Sequence, residues 1–187
     1  MRRFKCAIIS TAVSNADNAH RRVQSEVEEG ELVFIDTKGR CRERMDGRKS
    51  YSNDGEAKLI VSILKDLRSF NGGEGRWDCN SKIRVITFYQ GQVHAIKRHL
   101  RSSNMHNVTV ATVDSSQGSE AEVVIVSFVR SREGGGVGFL NDGRRINVGL
   151  TRAKEKLICV GDVATIRRGK ILKRFIEDIE QRENIIL

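Results

Sequence analysis

The chain has no proline anywhere in its 187 residues, so no proline-rich linker divides it into separate parts. It has no run of about 18 apolar residues, which excludes a membrane-spanning helix of ordinary length. Its four cysteines, Cys6, Cys41, Cys79 and Cys159, form no CxxC pair. His20, His94, His99 and His106 complete no zinc-ligand spacing around them, so no metal site is expected. Reduced, structural thiols of an intracellular protein are the reading that fits. A GxxxxGK(S/T) loop is also missing, and with it the usual backbone cradle for a nucleotide's phosphates. The opening MRRFKCAIISTAV has basic residues ahead of an apolar patch, but Ser10 and Thr11 interrupt that patch too soon for a signal peptide.

What is abundant is positive charge. Lys and Arg number 33 against 24 acidic residues, for a formal charge of +9, and the pI is about 9.7. That balance is the electrostatic footprint of a nucleic-acid binder, although an ordinary basic domain would look the same by charge alone. Hydrophobic residues make up 39% and charged residues 30%, which suits one soluble domain with a sizeable core.

The basic residues are concentrated most tellingly in RRINVGLTRAK, residues 144–154. A solvated basic run has no need of Ile146, Val148 and Leu150 at alternate positions, and a buried element would not choose Arg144, Arg145, Arg152 and Lys154. The combination predicts a packed backbone aiming guanidinium groups at one place. The fixed fork and permanent charge of arginine suit a phosphate of a nucleotide or of a nucleic-acid backbone.

From residue 32 onward, short apolar runs alternate with amphipathic stretches. Strands are expected at 32–35, 83–88, 108–113, 122–129 and 157–160. Helices are expected behind Asn53, at 90–100 and at 163–182. Residues 37–52 read as a charged loop and 71–80, with three glycines, as another. Asn53 followed by Glu56 is a capping-box pair. Behind it Leu59, Ile60, Ile63, Leu64 and Leu67 recur at helical spacing, as do Leu172, Phe175, Ile176 and Ile179 near the end. The run VVIVSFV is apolar on both faces, as a strand inside a parallel sheet must be. The alternation predicts an α/β fold, a parallel sheet with helices on both faces, whose ligands lie beyond the carboxyl ends of the strands. Residues 1–30 have weak periodicity and read as a poorly specified lead-in.

Two further segments carry polar groups at strand ends. In 111–131, Asp114, Ser115, Ser116 and Gln117 form a turn able to bond sugar–phosphate groups, Gly118 permits close backbone approach, and Glu120 is a carboxylate able to accept from a ribose hydroxyl. In 85–100, Tyr89, Gln90 and Gln92 stand where a strand meets a helix; Tyr89 could stack on a base or pack on the sheet rim. Each segment taken alone also fits an ordinary turn with polar tips.

Their order narrows the choice. ITFYQGQ, then TVDSSQGSEAEVVIVSFVRS, then GFLNDGRRINVGLTRAKEKLICVGD resemble motifs IV, V and VI of superfamily 1 helicases, and among these the up-frameshift type, RNA and DNA helicases that move 5′ to 3′. ELVFIDTKGRC and SYSNDGEAKLIVSIL resemble the opening strand and helix of that family's second RecA-like domain, so that the likeness covers roughly residues 31–170. The chain departs from the family at Phe88, where relatives carry proline, at Ser116, where many carry an aromatic residue, and at Gly149, where alanine is usual.

The resemblance implies a second, C-terminal RecA-like domain over 31–187, with the first RecA-like domain and its phosphate loop missing from these residues. It implies Arg152 as an arginine finger reaching the γ-phosphate of ATP and Arg145 as an organiser of the interdomain cleft. Glu120 and Gly118 would face the nucleotide; Thr87, Tyr89, Ser115 and Gln117 would lie along a single strand of RNA or DNA. Magnesium would be held through the first domain, and the compartment would be cytoplasm or nucleus. The expected function is the C-terminal motor domain of an ATP-dependent helicase, inactive as an ATPase by itself. The alternative is a stand-alone, non-catalytic RecA-like module that binds single strands or a partner.

Overall fold

The structure, a computed structural model, describes residues 6–10, 32–69 and 82–181. In chain order the elements are β1 (Cys6–Ser10), β2 (Leu32–Asp36), β3 (Glu43–Met45), β4 (Tyr51–Asn53), α1 (Asp54–Ser69), β5 (Ile83–Thr87), α2 (Gln90–Ser102), β6 (Thr109–Thr112), β7 (Ala121–Ser127), α3 (Gly143–Leu150), β8 (Ala153–Gly161), α4 (Val163–Ile166) and α5 (Lys170–Gln181). Six strands form one sheet in the order β1-β2-β8-β7-β5-β6, and every neighbouring pair in it is parallel. This is the expected α/β, RecA-like arrangement. The 71–80 loop lies outside the described residues.

Period-two alternation along the central strands divides the core between the two faces of the sheet. Val33, Ile35, Val85, Val123, Ile125, Ile158 and Val160 meet α1 and α2 on one face. Phe34, Ile86, Val124, Val126, Leu157 and Cys159 meet the α3–α5 side on the other. The VVIV run of β7 is buried throughout because it feeds both clusters. Leu172, Ile176 and Ile179 of α5 are fully buried, and each contributes roughly 1.5–3 kcal/mol of apolar burial. Phe175 only packs against the edge of the cluster, as Leu59 does on the other face.

Four local features differ from the sequence expectation. Cys6–Ser10, inside the weakly patterned lead-in, pairs with β2 as an edge strand. The charged loop contains an antiparallel hairpin, β3 with β4, in which Arg44 faces Ser52. The 144–150 stretch, read from sequence only as a packed backbone, is a helix, because Asp142 caps it and Ile146 and Gly149 share its buried face. The last helix is broken at 167–169, where a Cβ on Gly169 would come within 3.2 Å of the Leu140 carbonyl oxygen.

Helix α3 packs Gly149 against Phe88 and Val113, and a Cβ there would lie 3.6 Å and 3.7 Å from them, ordinary van der Waals contact. The helix therefore has room for an alanine, which would also restrict the unfolded chain. Gly149→Ala is expected to raise stability by about 0.5–1 kcal/mol in urea titration; a loss would mean that the helix sits closer to Phe88 than this.

Candidate functional site

Helix α3 and the two polar turns meet on one side of the sheet. Asp142 Oδ1 accepts from the amides of Arg144 at 3.0 Å and Arg145 at 3.4 Å, which fixes the first turn of α3 and the departure of both arginines. The Nε of Arg145 donates to Asp114 Oδ1 at 2.9 Å. Its guanidinium carbon lies 4.4 Å from the centroid of the Phe139 ring. Arg145 is thus clamped between the turn after β6 and the turn before α3, an orientation that its charge alone would not impose.

Arg152 follows the end of α3. Its Nε donates to the Val148 carbonyl at 3.2 Å and its terminal nitrogen to Thr151 Oγ1 at 3.3 Å. Its backbone carbonyl accepts from Ala121 at 3.1 Å. Among the described residues Arg152 has no carboxylate partner, so its guanidinium is held by neutral acceptors and keeps its charge available. Glu120 stands next to it at the start of β7, exposed and paired with Lys154 at 3.7 Å. Since Ala121 pairs with Ala153, both Arg152 and Glu120 lie at the amino ends of their strands. The 89–92 and 114–117 segments, by contrast, follow the carboxyl ends of β5 and β6.

The turn after β6 is internally tied. Ser115 Oγ bonds the amide of Thr112 at 3.0 Å and its carbonyl at 3.1 Å, and Ser116 Oγ donates to the same carbonyl at 2.7 Å. Ser116 is buried. Ser115, Gln117 and Gly118 are exposed. Gly118 has φ +79°, a left-handed conformation that explains the glycine.

Thr87 and Tyr89, which the resemblance puts beside a nucleic-acid strand, are buried. Thr87 ends β5 and its hydroxyl donates to the Ser127 carbonyl at 3.1 Å. Tyr89 stacks on Phe139 with centroids 5.4 Å apart and meets Tyr51 edge-on, also at 5.4 Å. Both side chains therefore support the rim from beneath and do not line its surface. Gln92, another candidate, is buried and bonds Asn53 and Ser127.

Sequence reasoning missed the polar cluster under this rim. Asn53 caps α1 by accepting from the Glu56 amide at 3.1 Å, but its own amide donates to Gln92 Oε1 at 2.7 Å. The Glu56 carboxyl turns instead to the end of β7, accepting from Ser127 Oγ at 2.6 Å and the Val129 amide at 3.0 Å. Val129 has φ +72°, and the Arg130 amide reaches back to the Phe128 carbonyl at 2.8 Å, a γ-turn about a β-branched residue. Such a conformation costs about 1–3 kcal/mol. The Glu56 bond and one from Asn53 Nδ2 to the Val129 carbonyl, at 3.1 Å, hold it in place. Beyond the turn Arg130 forms a two-pronged ion pair with Glu43 of β3, at 2.8 and 3.2 Å, with both side chains only 7% exposed. The Asn-x-x-Glu spacing advertised the cap, but nothing local advertised the partner far along the chain.

Cys41 and Cys159 are free thiols, and burial pushes both above their ordinary values. Among the described residues no three His, Cys, Asp or Glu side chains are grouped to hold a metal ion, and no helix is long and apolar enough to cross a membrane.

Burial pushes the Glu56 carboxyl from an ordinary 4.5 up to about 8. The folded state therefore keeps a proton that the unfolded chain releases above pH 4.5. Stability from this group is fully present below about pH 4.5 and is lost as pH rises to about 8, by an amount on the order of a few kcal/mol. Chemical denaturation across that range should show the decline. Glu56→Gln should flatten it, at the cost of roughly 1 kcal/mol for one lost hydrogen bond; an unchanged pH slope would exonerate Glu56.

A family model described as an AAA domain, AAA_12, matches residues 5–164. The DNA polymerase alpha-associated DNA helicase A of Saccharomyces cerevisiae is 34% identical over 82% of this chain and 23% of its own length. The DNA replication ATP-dependent helicase/nuclease DNA2 of Xenopus tropicalis is 42% identical over 82% of this chain and 14% of its own. Helicase sen1 of Schizosaccharomyces pombe is 30% identical over 77% of this chain and 9% of its own. The chain thus spans less than a quarter of the length of each of these relatives. With the match running from β1 to the start of α4, the chain belongs to the AAA_12 family of AAA domains.

Proposed function

We propose that this chain is the second RecA-like domain of an ATP-dependent superfamily 1 helicase of the up-frameshift type. The observation that carries the reading is Arg152. Its guanidinium is supported by neutral oxygens of α3 and Thr151, has no carboxylate partner among the described residues, and stands beside Glu120 at the amino ends of β8 and β7. A permanently charged fork left without a counter-ion suits the charge that develops on a transferring phosphoryl group.

In this reading ATP binds between this domain and a first RecA-like domain in the same or another chain, which contributes the phosphate loop and the magnesium ligands. Arg152 reaches the γ-phosphate when the domains close. Arg145, fixed by Asp114 and Phe139, orders the wall of the cleft. Glu120 accepts from a ribose hydroxyl once Lys154 gives it up, and Gly118 lets the backbone approach the nucleotide. Ser115 and Gln117, exposed on the turn after β6, meet a single strand of nucleic acid through its backbone. Thr87 and Tyr89 keep that turn's surroundings rigid from below. Closure on ATP and release after hydrolysis would alternate the grip on the strand. The names of the relatives favour this class, since helicase A, DNA2 and sen1 are all called helicases.

Two outcomes test it. With this chain joined to a first RecA-like domain, Arg152→Ala should lower ATP turnover by about 10³-fold or more while single-strand affinity stays the same; unchanged turnover would remove Arg152 from the reaction. The 187-residue chain alone should hydrolyse no ATP above background, with or without single-stranded nucleic acid, because no phosphate loop occurs in its sequence. Stimulated turnover by the purified chain would overturn the two-domain scheme.

A further inference from the structure

The hairpin that replaces the expected loop is a strongly basic surface element. Residues 38–49 hold Lys38, Arg40, Arg42, Arg44, Arg48 and Lys49 against Glu43 and Asp46. Glu43 is consumed by Arg130 in the buried ion pair. Asp46 Oδ1 accepts from the amides of Arg48 at 2.9 Å and Ser50 at 2.8 Å, making the turn. Both carboxylates are thus committed to building the hairpin. Arg42, Arg44, Arg48 and Lys49 are exposed and have no ion-pair partner among the described residues.

The hairpin is rigidly seated. Ser50 Oγ accepts from the Gly91 amide at 2.9 Å, and a Cβ on Gly91 would come within 2.8 Å of the Tyr51 carbonyl, so β4 lies directly on the first turn of α2. Arg130 stacks its guanidinium 4.1 Å from the Tyr51 ring centroid. Between hairpin and helix runs an open groove of about 620 Å³ lined by Arg40, Arg42, Arg44, His94 and Arg98 among others. Its one other acid, Asp54, already holds Lys58 at 3.0 Å, Arg98 at 2.6 Å and His99 at 2.7 Å, an arrangement that keeps its carboxyl well below the usual range. Arg42, just before β3, and Arg44 within it both line the groove.

We propose that this groove is a second binding site for a phosphodiester backbone. Exposed Arg42 and Arg44, without ion-pair partners among the described residues and carried by a braced hairpin, suit a run of phosphates read without regard to base sequence, since the two acids lining the groove, Asp46 and Asp54, are already engaged. The groove shares no residue with the site built around Arg152 or with the Ser115–Gln117 turn, so the assignment stands whether or not the helicase roles do.

The test is fluorescence anisotropy on the whole chain across a salt series, with a labelled 20-nucleotide single strand and a labelled 20-base-pair duplex. In Arg42→Gln/Arg44→Gln, loss of two phosphate contacts should make the slope of log K against log salt shallower by about 1.4 on the single strand or about 1.8 on the duplex. The arm that responds identifies the form of nucleic acid that uses the groove. An equal change in Lys173→Gln/Arg174→Gln, two exposed cations on α5, would reduce the effect to net charge and overturn the site. Unchanged slopes and affinities on both probes would overturn it too, as they would if the groove instead received an acidic protein. Ser115→Ala/Gln117→Ala runs alongside: loss there alone defeats the groove and spares the proposed track, and loss in the arginine variant alone does the reverse.

Discussion

The Glu56 carboxyl is enclosed at the point where β7 leaves the sheet, and three other segments take their positions from it. It holds the amide of Val129 in a left-handed turn, which redirects the chain so that Arg130 and Ser131 face β3. Ser131 Oγ then accepts from the Glu43 amide at 2.8 Å, and the Ser131 amide donates to the Glu43 carboxylate at 2.9 Å. A strained residue, a buried ion pair and the seating of the hairpin therefore share one support. Truncating a partner in such a cluster, unlike an isosteric exchange, leaves the others without water to solvate them and costs about 1–3 kcal/mol for each group left unpaired.

From Arg130 a line of ring contacts crosses the rim. Arg130 lies over Tyr51, Tyr51 meets Tyr89, Tyr89 stacks on Phe139, and Arg145 covers Phe139. Two arginines of opposite segments close a row of three aromatic side chains, each contact adding about 0.5–1.5 kcal/mol beyond burial. In a chain with only 5% aromatic residues, this row accounts for both tyrosines. It also explains why Phe139, although 48% exposed, is not free to accept a base on an open face.

The parallel sheet was legible because β2, β5, β7 and β8 are apolar on both faces, a pattern no exposed element would tolerate. Helices α1, α2 and α5 were legible from spacing that recurs every three or four residues. The α3 helix was obscured: Ile146, Val148 and Leu150 alternate as in a strand, and Asp142, the cap that decides the matter, works through backbone amides that leave no periodic trace. The hairpin was hidden by its charge, although Asp46-Gly47 is a turn signal. At the site, Glu120, Ser115 and Gln117 are exposed and Arg145 and Arg152 half-buried, so all five reach the surface. Thr87 and Tyr89 do not, because whether a residue at a strand end faces the rim or the layer beneath depends on partners such as Ser127 and Phe139, which lie about 40 or more positions away.

The strand order has a consequence for how the chain comes to be folded. Leu32 of β2 pairs with Leu157 of β8, and β8 also completes β7. The last of the described strands is thus the one that joins the two halves of the sheet. Until it is available, β2 and β7 each present an unpaired, apolar edge. Non-local pairing of this kind is slow to close, and edges that wait are the places where chains join one another by mistake. During synthesis the vulnerable interval lasts until Ala153–Gly161 has emerged, so a chaperone that shields β2 and β7 would act on this protein mainly in that interval.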